Sequence, residues 1–340
     1  MLLDIAAIIA GFVLLVWGAD RFVSGASSIA SNLGLPPMII GLTIVGLGTS
    51  APEILVSGMA AVQGNPGLAI GNSIGSNIAN IGLILGVTAL ISPLVVRSET
   101  LRREYPVLLA VSLGTLLLLM DGELGRLDGV ILLAGLVALL YAMVRISLGS
   151  RASDPMTAEI LAEMPETVST GRAVFNFSLG LALLLFSSRI LVWGAVNIAT
   201  EFGVSDLVIG LTIVALGTSL PELAASVASA LKKEHDIAIG NVLGSNMYNL
   251  LAVLAVPGLL APGGFDPQVL SRDMVMMIGL TLALFIMGYG FGGSGRINRV
   301  EGLLLLLAFL SYQAVLFSDG TNNQPGATSH YHSTELHRAS

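Results

Sequence analysis

Two carboxylates stand where an apolar chain should least place them. Glu53 and Glu222 lie in near copies of one motif: residues 41–57 read GLTIVGLGTSAPEILVS and residues 210–226 read GLTIVALGTSLPELAAS, identical at 12 of 17 positions. Each copy sets Thr and Ser (Thr49-Ser50, Thr218-Ser219) ahead of Pro and Glu (Pro52-Glu53, Pro221-Glu222). A second polar run follows each, GNSIGSNIAN at 71–80 and GNVLGSNMYN at 240–249. A charge at the centre of a lipid-facing helix costs at least about 2.5–3.5 kcal/mol. These side chains therefore need a destination other than lipid.

At the helical period, Thr49, Ser50, Glu53 and Ser57 fall within an arc of roughly 100°, and Asn72, Ser73, Ser76, Asn77 and Asn80 within roughly 140°. Thr218, Ser219, Glu222 and Ser226, then Asn241, Ser245, Asn246 and Asn249, repeat the arrangement. Pro52 has no N–H for the Gly48 carbonyl and Pro221 none for Gly217, so both helices should be disturbed there. Broken helices at membrane depth are tolerated around a protein-lined or wet cavity. Carboxylates, hydroxyls, amide oxygens and loosened carbonyls make an all-oxygen donor set. Such a set suits hard cations, above all Ca²⁺ with about six to eight oxygens at 2.3–2.6 Å. The chain has no Cys and no intramembrane His for a softer transition-metal site. The plainer reading has Ser and Thr back-bonding to their own helices while Asn and Gly join helix faces. It leaves unexplained why two glutamates stand at matching depths, each beside a proline.

The elements that must position these groups are membrane spans. Of 340 residues, 54% are hydrophobic and 11% charged, with a mean hydropathy of +0.87; a soluble chain carries about 25% charged residues. The N-terminus MLLDIAAIIA lacks a basic region and carries Asp4, so it reads as a first span. Breaks at Gly, Pro and charged clusters give ten helices at about 2–24, 37–63, 69–92, 103–120, 126–146, 173–198, 206–231, 238–260, 273–291 and 298–317. The fold expected is an all-α integral membrane protein. Its parts are a first five-helix unit (1–146, motif 41–80), a polar connector (147–172), a second five-helix unit (173–317, motif 210–249) and a disordered tail (318–340). The net charge of −7 gives no expectation of a nucleic-acid partner.

The second unit repeats the first at an offset of 169, which maps Glu53 on Glu222, Asn72 on Asn241, Asn77 on Asn246, Gly34 on Gly203 and Arg103-Glu104 on Arg272-Asp273. Five spans is an odd number, so the copies enter the bilayer from opposite sides. Inverted repeats of this kind characterise secondary transporters, with the substrate held where the repeats meet. Arg21, Arg97, Arg102, Arg103, Arg145, Arg151, Arg172, Lys232, Lys233, Arg296 and Arg299 gather on one side, against Arg126, Arg272 and Arg338 on the other. The positive-inside rule makes the first group cytoplasmic. That places the connector inside and both termini outside the cell (inner) membrane.

GLTIVGLGTSAPEILVS with IGNSIGSNIANIGLILG, and GLTIVALGTSLPELAAS with IGNVLGSNMYNLLAVLA, resemble the two α-repeats of the cation/calcium exchanger superfamily. The likeness is strongest to its prokaryotic sodium/calcium exchanger-like branch and covers about residues 1–317. The resemblance implies ten helices in two inverted five-helix repeats and a Ca²⁺/Na⁺ antiporter working by alternating access, expected to extrude Ca²⁺, with no cofactor. Carried over residue by residue, Glu53 and Glu222 are the shared carboxylates of the Ca²⁺ site, joined by the backbone carbonyls of Thr49 and Thr218. Ser50, Ser219, Ser76, Ser245, Asn80 and Asn249, with the carbonyls of Gly46 and Ala215, complete flanking Na⁺ sites. Some relatives, notably potassium-dependent ones, have Asp where Asn249 stands, which disfavours K⁺ cotransport here.

A Ca²⁺/H⁺ exchanger is the alternative, since paired membrane carboxylates can carry protons. The proton-coupled branch typically has an acidic residue soon after its Gly-Asn, whereas Ser73 and Val242 follow here. A cation channel fits inverted repeats less well, and a membrane hydrolase lacks a His beside Ser50 or Ser219. Small residues recur every seven positions in span 1 (Gly11, Gly18, Gly25), with Gly180, Ser187 and Gly194 as repeat mates. In the family the counterparts of spans 1 and 6 slide across the other eight helices, so these residues are expected to form a smooth sliding face, with simple tight packing as the alternative. Asp20 and Arg189 share a repeat position and are expected to snorkel at helix ends. His330, His332 and His337 are read as part of the solvated tail.

Overall fold

The computed structural model describes residues 1–34, 46–95, 99–149, 168–231, 233, 235–289 and 295–322. The first residues of span 2 with GLTIV of the first motif, Arg97, Arg151 with most of the connector, Lys232, and the tail beyond residue 322 with its three histidines lie outside the described residues.

Ten helical spans follow one another among the described residues. They are α1 (Leu2–Asn32), the broken α2 (Gly46–Thr49 and Ala51–Val62), α3 (Pro66–Ile91), α4 (Glu99–Leu119) and α5 (Arg126–Gly149), then α6 (Thr170–Phe202), the broken α7 (Asp206–Thr218 and Leu220–Leu231), α8 (His235–Leu260), α9 (Val269–Tyr289) and α10 (Arg299–Asn322). Six are long and apolar enough to cross a bilayer unaided, and α7 qualifies as a pair bent by 42°. Residues Ala51–Val62 of α2 and Glu104–Leu119 of α4 are shorter apolar helices. The chain is a multi-pass membrane protein.

Local chemistry sets the helix limits. Pro66 opens α3 at a position where its missing N–H costs nothing. Asn298 and Glu301 cap α10 reciprocally: Asn298 Oδ1 accepts from the Glu301 N–H at 3.1 Å while Glu301 Oε2 accepts from the Asn298 N–H at 2.7 Å. Gly34 after α1 and Gly203 after α6 stop their helices at φ +83° and +63°. Gly64 and Lys233, in the tight turns α2–α3 and α7–α8, are likewise at φ +82° and 68°. Both couples are separated by 169, so the duplication is preserved in backbone dihedrals even where a lysine stands for a glycine.

The two units are inverted. α1 and α6 pack antiparallel along their lengths, and their close approaches come in couples. Gly11 lies against Leu191 and Gly180 against Phe22; Gly25 lies against Phe177 and Gly194 against Ile8. Adding 169 to one member and subtracting it from the other converts each contact into its mate, as a two-fold axis in the membrane plane requires. The repeats also exchange neighbours, with α5 against α8 and α10 against α3. Two-residue strands clasp the ends: β1 (Leu94–Val95) pairs antiparallel with β4 (Arg296–Ile297), and β2 (Glu123–Leu124) with β3 (Gly263–Gly264). α3 and α8 form the centre, buried over 78% and 83% of their most apolar stretch, against 33% for α1 and 28% for α10.

Several expectations change. α1 reaches Asn32 rather than residue 24, because the small polar stretch after Gly25 is covered by α6: Ser27 and Ser28 are buried, and Asn32 Nδ2 donates to the Val168 carbonyl at 3.0 Å. α10 continues through Asn322, so 318–322 is helical rather than tail, with the Ser318 hydroxyl donating to the Val315 carbonyl at 2.9 Å. The glycines of α1 do not form a face toward the other eight helices. Gly11, Gly18 and Gly25 meet α6, where a Cβ on Gly25 would collide with the backbone at Phe177 and Ala173. Close packing within the α1–α6 pair is their role, as small residues permit where no hydrophobic force drives helices together. Asp20 and Arg189 are exposed and form no ion pair among the described residues. Each lies well inside its long helix rather than at an end.

Candidate functional site

The breaks fall midway between the prolines and the carbonyls they deprive. α2 and α7 both break at serine, Ser50 at φ −86°, ψ 4° and Ser219 at φ −85°, ψ 6°. The chain then restarts as helix with Pro52 or Pro221 in its first turn, a place proline favours. The Gly217 carbonyl is not left loose, since a backbone N–H of the helix cap takes it. The break is thus self-satisfied, and it aims Glu53 and Glu222 inward at the start of the second half-helices.

All four polar stripes share one destination. Ser50, Glu53 and Ser57 of α2, Asn72, Ser73, Ser76, Asn77 and Asn80 of α3, Thr218, Ser219, Glu222 and Ser226 of α7, and Ser245, Asn246 and Asn249 of α8 are all buried, and Asn241 is partly so. α3 crosses α7 closely enough that a Cβ on Gly71 would strike the Leu207 carbonyl and one on Gly210 the Leu68 carbonyl. Asn72 of α3 joins the two carboxylate-bearing helices, bonded to the Glu53 carbonyl of α2 and to Thr218 of α7.

A mirrored scaffold holds each carboxylate's backbone. Asn72 Nδ2 donates to the Glu53 carbonyl at 3.2 Å and to Ser57 Oγ at 3.0 Å. Asn241 Nδ2 donates to the Glu222 carbonyl at 3.3 Å and to Ser226 Oγ at 3.2 Å. Ser57 and Ser226 pass their protons to the carbonyls of Ala69 and Ala238, both at 3.4 Å. Across the two-fold axis, Asn77 Nδ2 donates to the Asn246 carbonyl at 3.2 Å and Asn246 Nδ2 to the Asn77 carbonyl at 3.5 Å. Asn72, Asn241, Asn77 and Asn246 lie on the stripes the helical period identifies, yet they fall outside the ligand set the resemblance implies; their equal spacing in both repeats is the signal that marks them.

The groups expected to be ligands behave differently. Oxygens of Ser50, Glu53, Ser76, Asn80, Ser219, Glu222 and Asn249 are buried with no hydrogen-bond partner in the protein. A buried polar atom left this way costs about 1–3 kcal/mol, more if charged. Ser245 Oγ reaches Glu222 Oε1 only at 3.5 Å. Asn80 and Asn249 each open a π-helical stretch, Asn80–Leu85 and Asn249–Val253, with the Leu254 N–H bonded to the Asn249 carbonyl at 3.0 Å. Such widened turns occur often at functional sites. Here each falls at the inner end of a polar stripe.

The remaining expected ligands are more committed. Thr218 Oγ1 lies 3.0 Å from the Val214 carbonyl and 3.1 Å from Asn72 Oδ1. The Ala215 carbonyl accepts the Ser219 N–H at 3.1 Å. Thr49 is half-buried and has partners of its own. Gly46 opens the helical turn before the break. Among the described residues no group of three or more His, Cys, Asp or Glu converges. The cage therefore carries two carboxylates amid neutral oxygens, a donor set suited to a hard cation.

Three comparisons bear on this arrangement. The model of the family described as sodium/calcium exchanger protein matches residues 3–145 and 172–318. The candidate antiporter CaxA of Alkalimonas amylolytica is 52% identical over 318 residues, spanning 94% of this chain and 100% of its own. Sodium/calcium exchanger MaX1 of Methanosarcina acetivorans is 34% identical, spanning 90% and 96%. Among solved structures, the sodium-calcium exchanger NCX_Mj soaked with 10 mM Na⁺ and 10 mM Sr²⁺ superposes with a TM-score of 0.64 at 33% identity, covering 92% of this chain and 98% of that one.

Proposed function

The chain belongs to the sodium/calcium exchanger protein family, and from that premise we propose that it exchanges Ca²⁺ for Na⁺ across the cell membrane by alternating access, extruding Ca²⁺ on the Na⁺ gradient. The family and the ten-helix inverted-repeat fold establish a cation antiporter rather than an enzyme. The ion pair is the finer reading. The observation that carries it is the set of partnerless buried oxygens on Ser50, Glu53, Ser76, Asn80, Ser219, Glu222 and Asn249, contributed from both repeats. Their desolvation is offset when a cation takes the place of the missing donors.

In this reading Glu53 and Glu222 hold Ca²⁺ with the backbone carbonyls of Thr49 and Thr218. Ser50, Ser219, Ser76, Ser245, Asn80 and Asn249, with the carbonyls of Gly46 and Ala215, hold Na⁺ on either side. Two carboxylates neutralise one Ca²⁺ or two Na⁺, which makes the ions alternative occupants of overlapping sites. A third Na⁺ leaves the cage positive and the exchange electrogenic. Both termini are placed outside the membrane and the 147–172 connector inside, on the charge asymmetry of the loops.

The test is uptake of radiolabelled Ca²⁺ into proteoliposomes under imposed gradients. An outward Na⁺ gradient is expected to drive uptake, and an imposed potential to change its rate. Uptake driven by a pH gradient and indifferent to Na⁺ replaces this reading with Ca²⁺/H⁺ exchange.

A further inference from the structure

We propose that Asn72 is a positioning residue, a releasable latch that registers the break of α7 in one repeat against the carboxylate-bearing helix α2 of the other. The inference rests on the exchanger reading for its functional meaning and on side-chain geometry for its existence. Asn72 has two amide protons and one carbonyl oxygen, and the structure divides them between the repeats. Both protons go to α2, one to the Glu53 carbonyl at 3.2 Å and one to Ser57 Oγ at 3.0 Å. The oxygen faces α7, where Thr218 Oγ1 lies 3.1 Å away. Thr218 immediately precedes Ser219, the residue at which α7 bends by 42°.

The Thr218 hydroxyl has a single proton. The Val214 carbonyl, one turn back on its own helix, is 3.0 Å away, as near as Asn72. The proton can therefore stay within α7, go to α3, or turn to the Glu53 carboxylate on α2. Moving α7 relative to α3 exchanges one hydrogen bond for another: the Thr218 donor stays satisfied in both positions, and the cost of release is confined to the buried Asn72 oxygen that loses its donor. The two bonds from Asn72 to α2 do not involve Thr218, so they keep the Glu53 carbonyl held when the proton turns away. The latch opens on one side only, toward the helix that bends. Neither side chain is among the expected cation ligands, since Thr218 is assigned through its backbone carbonyl, so its hydroxyl and the whole Asn72 amide are available for this work.

Four variants test the latch: Asn72→Ala, Thr218→Val, Thr218→Ser and the double Asn72→Ala/Thr218→Val. In proteoliposomes each of the first two is expected to lower exchange turnover about tenfold while the Ca²⁺ KM moves less than about threefold, because register is lost and no ligand oxygen is removed. The double variant should be no slower than the slower single variant. Thr218→Ser, which keeps the hydroxyl, should recover most of the turnover that Thr218→Val loses. Independent effects that multiply, or a Thr218→Val protein with wild-type turnover, overturn the latch. So does a loss confined to folded yield with unchanged turnover and KM per folded molecule, which is what a merely structural asparagine gives. The same set is read by hydrogen exchange at residues 215–223, a measurement that needs no transport. Faster exchange in both single variants, without addition in the double, supports the latch even if Na⁺ proves not to be the coupling ion. Unchanged exchange overturns it.

Discussion

The two repeats agree in their scaffold and differ in their free ligands. Asn72 and Asn241 hold the backbones of Glu53 and Glu222 with distances that match to 0.2 Å or better. Ser50 and Ser219 break their helices at dihedrals that match within 2°. Yet Asn80 gives its amide proton to Asn246 Oδ1 at 3.0 Å, while its mate Asn249 has neither side-chain atom bonded and contributes only its backbone carbonyl, to the Ser73 hydroxyl at 2.6 Å. Glu222 has a distant partner in Ser245, whereas Ser76, the mate of Ser245, is unbonded. Symmetry is kept where it fixes geometry and relaxed among the side chains proposed to hold ions. An inverted repeat with two equal halves would offer the same affinity to both sides of the membrane; in the proposed exchange, the unequal amides are what would let one carboxylate pair serve two kinds of ion.

The largest expected effect probes what the halves share. Glu53→Gln and Glu222→Gln should each depress exchange about 100-fold or more, as loss of one of two buried charges facing a cation does. Flux assays on both, normalised to folded protein, check this; a tenfold disparity between them would show that one half carries the charge alone. Next is Gly25→Leu, whose side chain has only the α6 backbone to enter. It should destabilise the α1–α6 pair by about 3 kcal/mol or more. Gly114→Ala, with nothing near its added Cβ, serves as the thermal-melting control.

The third prediction addresses the difference directly. Asn80→Ala should lose about 1 kcal/mol of stability with its bond to Asn246, while Asn249→Ala should cost no stability and instead weaken Na⁺ activation of exchange. Melting curves and Na⁺ titrations of the two variants separate these outcomes, and equal stability losses would erase the distinction between the halves. The smallest effect lies at Lys233, the non-glycine mate of Gly64. Relieving its positive φ with Lys233→Gly should raise stability by up to about 1 kcal/mol, read as a higher melting temperature.

Much of this was legible in the residues. The offset of 169 gave both halves, their inversion and the equivalence of Glu53 with Glu222. Pro52 and Pro221 announced the breaks, and helical period put four polar stripes on four neighbouring faces. The π-helical stretches beginning at Asn80 and Asn249 were not legible, because a widened turn depends on what packs around it and leaves no residue signature. The partners of Gly11, Gly18 and Gly25 were hidden too: a seven-residue spacing defines a face without saying which helix it meets. The length of α1 was underestimated since Ser27, Ser28 and Asn32 look like a loop until α6 covers them. Nor could sequence tell Asn80 from Asn249, identical in type and register, because their difference lies in one hydrogen bond across the two-fold axis.

The central claim is that Glu53 and Glu222 jointly coordinate one divalent cation that Na⁺ displaces. A Sr²⁺-soaked crystal measured at the strontium absorption edge tests it most directly. The account predicts a single strong anomalous peak bridging the two carboxylates, fading as Na⁺ is raised at constant Sr²⁺. A peak away from both carboxylates, or one that Na⁺ leaves unchanged, contradicts it.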